Sequence, residues 1–207
     1  MKERTTTSSN SSARSVSPKP EDETGACPGF PITPEKFWSV FSTNLRADWT
    51  DPNKHVPGFY NNGPAWTLYI TGFLKELASR FACSSDTELP RIDVGYFDRI
   101  GAEWDEWALE AAIENENGLA WNEKLSRLLM VSAGLRVLIA YSDNREWLLG
   151  ILNRFVEIRK SRKYIHPESG WLFIFGPRSI PAKHDFTAFK LEGGAIVEIT
   201  GDRKIVF

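Results

Sequence analysis

The chain has 207 residues, 25 Lys and Arg against 27 Asp and Glu, and a formal net charge of −2, enough for one domain of ordinary size plus a tail. This balance leaves no overall basic footprint, so any contact with nucleic acid must come from a local patch. Cys27 and Cys83 make neither a disulfide framework nor a zinc cluster and point to an intracellular, cytoplasmic setting; no secretory signal or segment of ~20 apolar residues is visible.

Residues 1–29 are rich in Ser, Thr, Pro, Lys and Glu, lack large apolar side chains, and are expected to form a disordered N-terminal tail. A single domain is expected over 30–207. Thr33-Pro34-Glu35-Lys36 reads as an N-cap with proline in the first turn, followed by a helical stripe of Phe37, Trp38, Phe41 and Leu45. Prolines and glycines between Asp48 and Gly63 predict a loop. A second helix is expected from Pro64 to Cys83, burying Trp66, Tyr69, Ile70, Phe73, Leu74, Leu77 and Phe81. The eight tryptophans are expected mostly in the core.

Pro90–Asp98 then predicts a strand, with Asp93 inside it. Trp107–Glu116 (WALEAAIENE) predicts a second, although its alanines also allow helix. A helix is expected from Leu119 to Ala133, closed by Gly134 at C′. Leu135–Tyr141 is a continuous apolar run, as in a strand buried on both faces. This strand–helix–strand order implies two parallel neighbours joined by a right-handed crossover. Asn144–Lys163 predicts an amphipathic helix, and strands are expected at 171–175, 186–191, 195–200 and 204–207. Gly193-Gly194 and Gly201-Asp202 supply turns between the last strands.

Glu114 and Glu116 stand two apart near a strand end and should share a face. If the Asp93 strand pairs with theirs as a hairpin, three carboxylates converge. Such a group calls for a cation, and hard oxygen ligands select Mg²⁺, Mn²⁺ or Ca²⁺, which suit phosphodiester hydrolysis. A solvated acidic strand end is the alternative.

The stretch from Arg91 to Tyr141 resembles the PD-(D/E)xK, or restriction-endonuclease-like, nuclease superfamily, in which an Asp on one strand is followed by an acidic-x-Lys motif on the next. Asp93 matches the first acid and Glu114, in Ile113-Glu114-Asn115-Glu116, the second. Glu116 stands in the lysine position, a departure that bears on mechanism. The resemblance implies an α/β fold: a restriction-endonuclease-like core with a mixed central sheet flanked by helices, here extended by C-terminal β-hairpins. It further implies metal ligation by Asp93 and Glu114, with Glu116 sharing the ion or orienting water, and Glu76 as an extra acid on the metal side. Lys124 reaches back to stabilise charge or is an ordinary solvated helix lysine. Asn117 contacts a phosphate or caps the following helix.

The function expected on these grounds is Mg²⁺- or Mn²⁺-dependent hydrolysis of DNA, by an endo- or exodeoxyribonuclease. DNA is the expected partner, no membrane is, and a homodimer is left open. The first alternative is a catalytically inactive nuclease-fold protein that binds nucleic acid or a protein partner. The second is an α/β interaction module of other ancestry. His55, His166 and His184 are scattered and read as ordinary surface residues. Arg154, Arg159, Lys160, Arg162 and Lys163 gather at a helix C-terminus, as a phosphate-backbone patch or as complements to the helix dipole. Gly176-Pro177-Arg178 reads as a turn.

Overall fold

The computed structural model describes residues 31–54, 63–87, 89, 92–99, 107–161, 170–178 and 185–201. The expected tail, the three histidines, Arg162, Lys163 and the expected strand 204–207 lie outside the described residues. The fold is α/β, with a seven-stranded mixed sheet flanked by helices.

Helices α1 (Pro34–Thr50) and α2 (Gly63–Leu77) come first, and a 3₁₀ turn (Ala78–Phe81) follows α2. Strands β1 (Ser84–Asp86), β2 (Val94–Arg99) and β3 (Trp107–Glu116) form an antiparallel meander. Helix α3 (Trp121–Met130) carries the chain to β4 (Leu135–Tyr141), and α4 (Arg145–Ser161) carries it to β5 (Gly170–Gly176). Both crossovers join parallel neighbours. β6 (Thr187–Glu192) and β7 (Ala195–Glu198) complete the sheet as an antiparallel hairpin, turned by Gly193 and Gly194 with φ of 57° and 82°. Two successive positive φ values suit a type I′ turn, which glycine enters without steric cost. Strand order in the sheet equals order in the chain.

Each face of the sheet carries its own core. On one face α1 and α2 bury Phe37, Trp38, Phe41, Trp66 and Ile70 against Val94, Ile113, Val137, Ile139 and Ile174. On the other, Leu125 and Leu128 of α3 and Leu148, Leu152 and Phe155 of α4 cover Ala112, Leu138, Ala140, Trp171 and Phe173. β4 is buried throughout because both of its faces are covered, which explains why all its residues but Arg136 are apolar or aromatic. One irregularity sets the phase of β3. Tyr96 pairs with Ala111 and Phe97 with Leu109, so Glu110 is an extra residue in the ladder. That bulge sends Leu109 and Ala111 to opposite cores, and from Ala111 onward the strand alternates so that Ala112 and Glu114 lie on the α3 side.

The structure corrects several expectations. Asp93 stands in a bend just before β2 rather than within a strand. The second helix ends at Leu77, because the chain tightens into a 3₁₀ turn and Ala82 takes a left-handed φ of 56°. The edge strand β1 follows, where no strand was expected. Helix α1 runs on to Thr50, beyond the predicted start of the loop. Helix α3 ends at Met130, and Gly134 is no C′ cap. It lies against β3, where its N–H donates to Leu109 O and an added Cβ would stand 3.1 Å from Glu110 O. Of the six tryptophans whose side chains are described, Trp38, Trp66 and Trp171 are buried, Trp49 and Trp121 are half-buried, and Trp147 is exposed. No helix among the described residues is long and apolar enough to cross a membrane.

Candidate active site

The antiparallel register of β2 and β3 pairs Val94 with Ile113, which brings Asp93 opposite Glu114 one step further on. There β2 has ended, and the Asp93 carboxylate takes over its pairing: Oδ2 accepts the N–H of Asn115 at 2.8 Å. This bond ties Asp93 to the C-terminal end of β3. Glu114 projects from β3 towards α3 and is fully buried, whereas the Asp93 side chain keeps 29% of its exposure.

Lys124 reaches back from the first turns of α3 to both acids. Its ammonium lies 2.8 Å from Oδ1 and 2.8 Å from Oδ2 of Asp93, and 2.7 Å from Oε2 of Glu114. The contact to Glu114 is close but off the hydrogen-bonding direction, so both Glu114 oxygens are buried without a hydrogen bond. Arg127, one turn further along α3, holds Nη1 4.0 Å from Glu114 Oε1.

Burial is the largest influence on Glu114 and pushes its carboxyl up to about 7; Lys124 pulls it down and Asp93 raises it again. Burial lowers the Lys124 pKa, but the hydrogen bonds to Asp93 and the close contact with both acids outweigh it and hold the ammonium above the ordinary lysine value. The centre is therefore a dyad of acids bridged by one cation.

Glu116 and Glu76 are not brought to this dyad. Glu116 turns its carboxylate back to accept the N–H of Gly118 at 2.5 Å. Glu76 lies on α2, in the helical layer over the other face of the sheet, where it lines a groove with Asp48, Lys54 and Tyr69. Among the described residues no three His, Cys, Asp or Glu side chains converge as a ligand group. Asn117 does not cap α3, whose N-cap is Ala120 and has no side-chain cap hydrogen bond. The Asn117 amide donates instead to Gly63 O at 2.7 Å, pinning the end of β3 to the start of α2.

Arg127, beside Glu114, and Arg178, at the turn after β3, were not singled out in the sequence as site residues. Arg127 follows Lys124 by three residues, a spacing that puts both on one helix face. Arg178 follows β5 and donates from Nη2 to Asn117 O at 3.4 Å, while its N–H is held by Asp143 at 3.0 Å. In the basic run on α4, Lys160 is paired to Glu157 at 3.1 Å.

The donor set suits a hard divalent cation. The carboxylates of Asp93, in the bend before β2, and Glu114, on β3, face one point, and Glu114 Oε1 is buried with no hydrogen-bond partner. No family model, curated protein or solved structure matches the chain.

Proposed function

We propose that the protein is a metal-dependent nuclease of the restriction-endonuclease type that hydrolyses DNA phosphodiester bonds. The observation that carries this reading is the buried Glu114 beside Asp93, with both acids meeting a single cationic group, Lys124 Nζ. The succession α2, β2, β3, α3, β4 supports it, with Glu114 on β3 and Asp93 in the bend that leads into β2. Asp93 and Glu114 would hold Mg²⁺ or Mn²⁺, with water completing the shell. When bound, the cation acts as a Lewis acid toward the scissile phosphate. Lys124 and Arg127 place positive charge beside the acids, where an incoming phosphate group needs it. Glu116, bonded to Gly118, orients the turn after β3 and does not ligate. The sparse cysteines fit a cytoplasmic setting.

One observation favours a second reading. Lys124 already bridges the dyad, and a site closed permanently in this way belongs to a catalytically inactive nuclease-fold protein that binds nucleic acid or a protein partner. Cleavage of plasmid and single-stranded DNA with millimolar Mg²⁺ or Mn²⁺ separates the two. The nuclease reading expects cleavage that falls at least ~100-fold in Asp93→Asn and in Glu114→Gln. Retention of DNA without cutting by any divalent ion would establish the inactive reading instead.

A further inference from the structure

We propose that Lys124 is a built-in competitor for the divalent cation: its ammonium occupies the point between Asp93 and Glu114 that a metal ion would take, and must leave it for the ion to bind. This rests on the dyad being a metal site. The geometry leaves one position. Nζ lies 2.8 Å from both Asp93 oxygens and 2.7 Å from Glu114 Oε2. A cation bonded to both carboxylates at ~2–2.6 Å would fall almost on top of the ammonium, and two positive groups cannot share that volume.

The present arrangement is also incomplete as an ion pair. The ammonium satisfies Asp93 with two hydrogen bonds but meets Glu114 off-axis, leaving Oε1 and Oε2 buried without hydrogen bonds. A buried carboxylate in this state gains from a ligand that bonds to it directly. Lys124 is built to leave, since its side chain retains 14% exposure and swings on a four-carbon stem. With a metal on the carboxylates, the Lys124 ammonium would be released at the edge of the site and would be available to a phosphate group there. One lysine serves first as a latch on the empty site and then as a positive group for the substrate. The metal affinity of the unaltered protein is correspondingly weaker than the two carboxylates alone would give.

Mn²⁺ titrations of the full chain, followed by calorimetry and by the electron paramagnetic resonance of the free ion, test this in the parent protein, Lys124→Met, Lys124→Gln and Glu114→Gln. Both lysine variants should bind Mn²⁺ at least about tenfold tighter than the parent, the effect of removing one like charge from contact distance. Glu114→Gln should lose binding. Should either lysine variant not fold, the Lys124 Nζ resonance of the parent gives a second readout: Mg²⁺ should convert its slowly exchanging protons to fast exchange with water. Equal affinity in the parent and the lysine variants, or an Nζ signal unmoved by a bound metal, overturns the competition while leaving the metal site standing. No Mn²⁺ bound by any folded variant overturns both.

Discussion

Glu114 is the residue on which the chemistry of the site turns. Burial holds its folded-state pKa near 7, against 4.5 for an unperturbed glutamate. Between those values the folded protein keeps a proton that the unfolded chain has released. Stability from this group is therefore complete below about pH 4.5 and is lost as pH rises through about 7. The full swing is on the order of 3 kcal/mol in metal-free protein. Urea denaturation in chelator from pH 4.5 to 8 should show the parent weakening relative to Glu114→Gln, with the variant the more stable of the two at pH 8. Parallel curves would contradict the assignment. Sequence spacing pointed to Asp93, Glu114 and Glu116, because alternation along a strand is a local property, and Lys124 entered with the family resemblance as one of two readings. It did not reveal that Glu116 would turn back to its own turn, since the acceptor need of Gly118 N–H depends on how the chain leaves β3.

The position of Lys124 depends on α3, and that helix is anchored at its far end by a charge hidden within an apolar run. Arg136 of β4 is buried and lies over the Trp171 ring, 5.3 Å from its centroid. Its guanidinium donates to the carbonyls of Leu128 and Val131 at 2.9 and 3.0 Å, closing the C-terminus of α3 where no glycine cap exists. Arg136→Met keeps the bulk but strands these carbonyls. It should cost about 2–4 kcal/mol in chemical denaturation, and a loss under ~0.5 kcal/mol would show that water replaces the guanidinium freely. The strand pattern of Leu135–Tyr141 was readable in the sequence although Arg136 breaks it, because six of its seven residues are apolar or aromatic. The role of Arg136 was not readable, since its partners are main-chain carbonyls of a turn that had been expected to close on Gly134. The same limit hid β1: Ser84-Ser85-Asp86 has no apolar periodicity and becomes a strand only by pairing with β2.

At the scale of the whole molecule, the layered order of helices and strands was largely visible in the sequence because the two cores impose two periodicities. Helix spacing marked the layers, and the apolar run of β4 marked the centre of the sheet. The bulge at Glu110 was invisible, yet it decides on which face of the sheet Glu114 emerges, and hence that the acids meet Lys124 of α3 rather than Glu76 of α2. The site is thus a product of register, set by one extra residue in the β2–β3 ladder. The Asp93–Glu114 dyad is proposed here as a divalent-cation site that Lys124 holds in the absence of metal. Crystals grown in saturating Mn²⁺, with anomalous scattering recorded at the manganese edge, test it most directly. A peak bonded at ~2–2.6 Å to both Asp93 and Glu114, with the Lys124 ammonium moved away, is the expected result. A dyad still bridged by Lys124, with no manganese between the carboxylates, would contradict it.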